Sequence, residues 1–534
     1  MAPTSLNYPL SSDYANNAQH QDAFRLKYTT MVEEVRRLFD NTEDKLLLVD
    51  TIQRLALDHH FTTEIAAVLR QLNDAVSNNN TFNGSDCQLY GVSLRFRLLR
   101  QAGYHISQDV FTCFMNSKGE FKNIHTDDTK GLLALYEASH VGLEEEEILD
   151  EAEKFSRHFL CAKLPQIDGD QARVVKYALQ NPHHKSMGRH MANEFLENLD
   201  CENEVEEISL LHDLAKMELS IVGILYQEEV LQVVEWWNGL GLAKELKSAR
   251  NQPMKWHMWS MAMLLHPKLS FQRILLTKPI SLVYIVDDIF DLYGTIDHLT
   301  LFTQAVKRWK ISETEELPNY MKICLKAIQE TTQEISHMVF KEHGWNPLVY
   351  LKKMWGDLCD AFLIEARWFS CGHLAKASEY LENGILSSGV PMVLAHLFCI
   401  MGSSSSSSSS SSKETEQLFN DTKSISHSVA MILRLLDDLG SAKDEHQDGY
   451  DGSYIECYME EFLVSSHKVA GEHVMNMISN TWKKLNKQCL SSNTLPQSFT
   501  KACLNAARMV PIMYNYDENH SLPLLEECIE SMIC

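Results

Sequence analysis

The feature that most constrains this chain is the spacing of its apolar residues, which repeats with the period of an α-helix almost everywhere after about residue 24. In Leu46-Leu47-Leu48-Val49, Ile52, Leu55 and Leu57 the side chains return to one face every three or four positions. Leu210, Leu211, Leu214, Met217, Leu219, Ile221 and Val222 do the same. Strict alternation bounded by turn residues is hard to find. With 13 Pro and 22 Gly in 534 residues, there are few points at which a long helix must stop. The pattern predicts an all-α fold, and the length requires more than one core. The polar stretch Leu199-Asp200-Cys201-Glu202-Asn203-Glu204 precedes a new helical run and marks a domain junction. The expected division is a disordered segment 1–23, a helical domain 24–205 and a second helical domain 206–534.

Three local signals qualify this picture. The uninterrupted run Ser403 to Ser412 cannot build a core and reads as a surface loop between helices. Gly389-Val390-Pro391 interrupts an apolar helical stretch and predicts a kink, either a packing device or a break that shows backbone carbonyls to a pocket. Glu144-Glu145-Glu146-Glu147 is most simply a solvated helix face. No repeat of 20–50 residues is visible, which argues against a solenoid.

The charge balance excludes some partners. Asp and Glu number 72 against 48 Lys and Arg, a formal net charge of −24, and no basic stripe for nucleic acid is present. An anionic substrate would need cations to offset this charge. The 13 Cys form no CxxC pair and suit reduced thiols rather than a disulfide framework. The N-terminus has no apolar signal region and makes a weak transit peptide, and no run of 18 apolar residues exists, so neither secretion nor a membrane span is expected. The expected compartment is the cytoplasm, with a plastid left open. GxSxG, HExxH, P-loop and GxGxxG signatures are absent, and pairs such as His59-His60 and His183-His184 read as ordinary polar or capping residues.

Two acidic stripes carry the chemistry. Asp287-Asp288-Ile289-Phe290-Asp291 follows the apolar run Leu282 to Val286, and on a helix Asp287 and Asp291 would share one face. Carboxylates at the end of an apolar helix are costly unless a cation neutralises them. Hard divalent ions shared with substrate phosphates, Mg²⁺ above all, are the natural partners. The second stripe is Asp437, Ser441 and Glu445 at i, i+4 and i+8, after the apolar run Ile432 to Leu436. Arg434 lies on the same stripe, where it could hold phosphate oxygens bidentately.

VDDIFD together with LLDDLGSAKDE resembles the two metal motifs of plant terpene synthases, aspartate-rich and (N/D)D-x-x-(S/T)-x-x-x-E. The likeness extends from about Leu48 to Pro523. Leu48–Phe61 and Leu98–Phe111 look like that family's N-terminal helical domain, and Trp236–Trp259 looks like the start of its catalytic domain. The resemblance implies an N-terminal α-barrel relic and a C-terminal class I bundle. It implies Mg²⁺, three ions, with Mn²⁺ as an alternative, held by Asp287, Asp288 and Asp291 on one side and Asp437, Ser441 and Glu445 on the other. The diphosphate of a geranyl or farnesyl diphosphate would sit between them, near Arg250, Asp287, Asp291, Arg434 and Asp437. Trp259 matches a pocket position of the family, and Tyr514 and Tyr516 are further pocket aromatics. A monomer is implied.

Departures from the family pattern narrow the product. The Arg-x-Arg pair common before the first motif reads Arg250-Asn251-Gln252, with one arginine missing. Arg36-Arg37 is not followed by the tryptophan of the tandem-arginine motif, since Leu46 stands in its place. Both departures resemble the subgroup that makes acyclic tertiary alcohols, linalool from geranyl diphosphate and (E)-nerolidol from farnesyl diphosphate. No DxDD is present, so protonation-initiated cyclisation is not expected and the N-terminal domain is structural. The alternatives are a cyclic mono- or sesquiterpene synthase, a chain-elongating prenyltransferase, which would carry two DDxxD motifs, and a non-enzymatic acidic scaffold with both clusters merely solvated.

Overall fold

The computed structural model describes residues 18–79, 88–122, 126–199, 206–310, 315–402, 412–441, 453–490, 495–514 and 523–533. Among them secondary structure is helical, apart from an isolated bridge between Met115 and Phe121. The first helix, Ala18–Asn41, begins earlier than the boundary expected at residue 24. The junction at 200–205 lies outside the described residues, as does the serine run up to residue 411.

The N-terminal helices start where short polar side chains can satisfy their free amides. Asp44, Asp128 and Asp168 accept from the backbone N–H of Leu47, Gly131 and Gln171. In the second unit, helices Pro253–Met263, Ser270–Asp288, Leu348–Cys371, Ala377–Ser387, Ser412–Ser441 and Gln497–Tyr514 surround the site described below. The segments Pro267–Tyr293 and Ala377–Met401 are long and apolar enough to cross a membrane by length and composition, beyond what the run-length expectation allowed, but 56% and 67% of their most apolar windows are buried inside the protein.

The kink expected at Gly389-Val390-Pro391 is instead a full break. Gly389 is left-handed (φ 73°) and separates Ala377–Ser387 from Val390–Met401, with Pro391 in the first turn of the new helix, where no hydrogen bond is lost. A Cβ at Gly389 would come within 2.5 Å of Val283 Cγ1, so the break also lets Ser270–Asp288 approach closely.

The 35-residue helix Glu206–Leu240 joins the two units. Near its start Glu218 accepts from Tyr28 and lies 3.1 Å from the Nε2 atoms of both His59 and His60. The His59-His60 pair thus belongs to an inter-unit polar cluster. A second contact between the units has His184 Nε2 and Asn486 Oδ1 2.9 Å apart, and Asn486 Nδ2 donates to the carbonyls of His140 and Gly142.

Candidate active site

Helix Ser270–Asp288 delivers the first acidic cluster. Its inward side chains Leu275, Leu276, Ile280, Leu282, Ile285 and Val286 are almost completely buried, which fixes the rotation of the helix. Beneath it Glu229 accepts from Arg273 Nη2 at 2.6 Å and lies 2.9 Å from His257 Nε2, with all three side chains fully buried. This network locks helices Glu206–Leu240, Pro253–Met263 and Ser270–Asp288 together.

At Asp288 the α-helix ends and Ile289–Tyr293 winds as a π-helix. The simple α-helical turn expected between Asp287 and Asp291 is therefore replaced by a wider one, a geometry frequent at functional sites. Gly294 closes the turn, donating to Ile289 O at 2.9 Å, and a Cβ there would collide with Leu299 Cδ2 at 2.2 Å. Asp291 keeps an exposed outer edge, but desolvation on its inner side and the charge of Asp287 push it up to about 7.

Asp288 has a different task. It is buried and accepts from both the backbone N–H and Nε of Arg250, each at 2.7 Å. Arg250 Nη2 donates to Asp287 Oδ2 and to Tyr284 O, and the guanidinium lies 4.9 Å from the Tyr284 ring centroid. The loop carrying Arg250 is itself held, since Asn251 Oδ1 accepts from Trp237 Nε1 at 2.7 Å and Ser248 N–H donates to the Tyr293 hydroxyl.

The second cluster lies at the end of Ser412–Ser441. Asp438 turns inward, accepting from the Tyr380 hydroxyl at 3.1 Å and from Tyr454 N–H at 2.8 Å, and burial pushes it up to about 7. Asp437 looks across at the first cluster. Burial raises it, the nearby Arg434 opposes that, and Asp287 raises it further, so the two acidic walls sense one another. Arg434 Nη1 is 3.8 Å from Asp437 Oδ2 and 3.9 Å from Asp438 Oδ1, while its Nη2 donates to Ser387 Oγ at 3.1 Å and its Nε to Gly384 O at 3.4 Å. The break at Gly389 thus ends a helix whose last turn serves Arg434. Ser441 is the last residue of the helix, and its side chain, Glu445 and Tyr516 lie outside what the structure describes.

Four residues enter the site that the motifs did not reveal. Glu365, on Leu348–Cys371, accepts from Ser387 Oγ at 2.6 Å and Asn383 Nδ2 at 3.1 Å, and its carboxyl is raised by burial against the pull of Arg434. The one signal was a lone carboxylate in the apolar stretch Phe362-Leu363-Ile364. Tyr284 accepts from Trp259 Nε1 at 2.9 Å and shares a hydrogen bond with Tyr514, whose ring is 6.5 Å from Trp259. Tyr380 braces Asp438. Lys255, half-buried one turn before Trp259, has its ammonium pushed down to about 8 by burial and by Arg250, against the pull of Asp437.

Asp288, Asp291, Glu365, Asp437 and Asp438 are all held above the ordinary carboxylate range. Such an oxygen-only set, repelling itself across a gap, fits hard divalent cations. The fold and this donor set define a class: helical, divalent-metal-dependent enzymes with an aromatic wall beside two facing carboxylate walls.

Comparison with known proteins agrees. Residues 4–179 match the family model "Terpene synthase, N-terminal domain" and residues 238–484 match "Terpene synthase family, metal binding domain". An (E)-nerolidol synthase of Cannabis sativa is 46% identical, with 94% of this chain and 90% of that one covered. A chloroplastic tricyclene synthase of Antirrhinum majus is 42% identical, covering 95% and 87%. The isoprene synthase of grey poplar, solved with three Mg²⁺ ions and dimethylallyl-S-thiolodiphosphate, superposes with a TM-score of 0.87 at 33% identity, covering 96% and 97%. The chain belongs to the terpene synthase family. It is a lyase that acts on a prenyl diphosphate and depends on a divalent metal.

Proposed function

We propose that this enzyme ionises farnesyl diphosphate, geranyl diphosphate or both, and lets water capture the allylic cation at its tertiary carbon. The products are (E)-nerolidol and linalool, with pyrophosphate. The observation that carries the acyclic reading is Gln252 at the place of a second arginine, together with similarity to an (E)-nerolidol synthase. Three Mg²⁺, replaceable by Mn²⁺, would be held by Asp287 and Asp291 on one wall and by Asp437, Ser441 and Glu445 on the other. Asp288, already engaged by Arg250, would act as their buried anchor rather than as a direct ligand. The bound metal supplies Lewis acidity that favours departure of the diphosphate.

The chain's own residues set the rest. The diphosphate C–O bond breaks and its electron pair leaves with the pyrophosphate. The remaining cation faces Trp259, Tyr284 and Tyr514, whose ring quadrupoles stabilise it by roughly 0.5–2 kcal/mol each. A water oxygen then bonds to the tertiary carbon, and its proton passes to the pyrophosphate. The enzyme would work as a monomer in the cytosol, a plastid being the alternative that the chloroplastic relative raises.

Incubation of purified protein with each diphosphate, with and without Mg²⁺, followed by gas chromatography–mass spectrometry, tests the reading. Metal-dependent linalool and nerolidol are expected. Mainly cyclic products, the outcome that similarity to the tricyclene synthase favours, would keep the enzyme class and overturn the acyclic assignment. Longer diphosphates formed with added isopentenyl diphosphate would mark a prenyltransferase.

A further inference from the structure

Three cations border the space between the acidic walls, and they are not equally free. Arg250 is committed: its Nε, Nη2 and backbone N–H are taken by Asp288, Asp287 and the Tyr284 carbonyl. Arg434 is committed to Gly384, Ser387 and the carboxylates of Asp437 and Asp438. Among the described residues, Lys255 forms neither an ion pair nor a hydrogen bond through its ammonium.

Its position gives that freedom a direction. Lys255 and Trp259 lie at i and i+4 on Pro253–Met263 and so share a face. The Trp259 indole N–H, held by the Tyr284 hydroxyl, turns this face toward the site. The charges that act on the ammonium are Arg250, which repels it, and Asp437, which attracts it, one from each wall. A half-buried ammonium with a cation beside it and no carboxylate in contact is unfavourable in the free enzyme, and a polyanion in the gap would relieve it. Four methylenes and three rotatable donors let it follow such an anion as the anion moves.

We propose that Lys255 binds the diphosphate of the bound substrate and retains the pyrophosphate once the C–O bond has broken. Lys255 thereby supplies the positive charge that Gln252 does not. This rests on the prenyl diphosphate reading above.

The test is calorimetric titration of inorganic pyrophosphate into the full-length protein at saturating Mg²⁺, for wild type and for Lys255→Gln, Lys255→Met and Lys255→Arg. Loss of a charge-assisted hydrogen bond should weaken pyrophosphate about tenfold or more in the Gln and Met variants. Arg should restore affinity to within about threefold of wild type. The KM for farnesyl or geranyl diphosphate should rise in parallel. The Met variant keeps the apolar stem, so it guards against a Gln variant that fails to fold. Gln and Met variants that are folded by circular dichroism and bind pyrophosphate as tightly as wild type would overturn the proposal. If wild type turns over a prenyl diphosphate under those conditions, only the proposal fails. If wild type neither turns one over nor binds pyrophosphate, the functional reading beneath it fails as well.

Discussion

Buried carboxylates occur in two regions of this molecule and behave in opposite ways. At Asp50 and Glu218, in the N-terminal unit and its junction with the long helix, burial pushes the carboxyl up but the partners more than reverse it. Arg54 and Arg97 hold Asp50 well below the usual range, and His59, His60 and Tyr28 do the same for Glu218. Glu137 departs from this, lifted by burial with the His183 amide as a partner at 2.9 Å. In the catalytic unit Asp288, Asp291, Glu365, Asp437 and Asp438 are lifted by burial, and the cations beside them are too few to reverse it. A carboxylate whose partners are built in serves architecture, whereas a group short of positive charge is a request for an ion from outside.

The largest effect should come from Asp287→Asn. Removing a carboxylate of one wall that acts on Asp437 of the other should cut metal-dependent pyrophosphate release on the order of 10²–10³-fold, while the melting temperature of the metal-free protein does not fall. A variant that keeps more than a tenth of wild-type turnover breaks the contrast.

Asp50→Asn is the converse experiment. It leaves Arg97 buried without its carboxylate and should destabilise the fold by about 3–5 kcal/mol in denaturant titration. Turnover per folded molecule should not change.

The pH dependence should differ in sign between the regions. Asp291 rises from 3.8 to about 7 on folding, so the folded metal-free protein binds its proton more tightly than the unfolded chain. Its contribution is present below pH 3.8 and lost as the pH rises towards 7. Glu218 is depressed from 4.5, so its contribution is present above that value and lost as the pH falls below it. Melting curves in chelator between pH 4 and 8 should show this first loss in wild type, and Asp291→Asn should reduce it, the remainder belonging to Asp438 and the other raised carboxyls.

The smallest effect should be Trp259→Phe. It keeps the aromatic face and removes the N–H to Tyr284, so the rate should change by less than about tenfold while the product ratio shifts.

Much of this was legible before folding, and the reason is local. Helical periodicity needs only near neighbours, so the helices around Leu48 and Leu214 could be read directly. The carboxylates at 287, 291 and 437 stand out against apolar runs. What could not be read depends on distant partners or on a small shift in winding. That Asp288 takes both the backbone N–H and Nε of Arg250 while Asp287 takes only Nη2 is decided by a loop 37 to 38 residues earlier in sequence. The π-turn after Asp288 replaces a regular helix by one extra residue per turn, which no spacing rule reveals. Gly389-Val390-Pro391 was legible as an interruption, but only the approach of Val283 shows why it is a complete break. Lys255, Glu365 and Tyr284 gain meaning from helices that meet only in the fold.

The long helix Glu206–Leu240 bears on how such enzymes can be cut and recombined. At 35 residues it runs about 52 Å. One end is gripped through Glu218 by the N-terminal unit, and the other, through Trp237 and Asn251, braces the loop of Arg250. Removing everything before Glu206 would take away Ala18–Asn41, which packs on this helix, and strip Glu218 of Tyr28, His59 and His60. The N-terminal unit is therefore not a detachable appendage. A chimaera spliced within this helix would inherit half of two unrelated polar clusters, one from each parent. Splices placed outside it, with Tyr28, His59, His60 and Glu218 carried as one block, should be the ones that yield soluble protein.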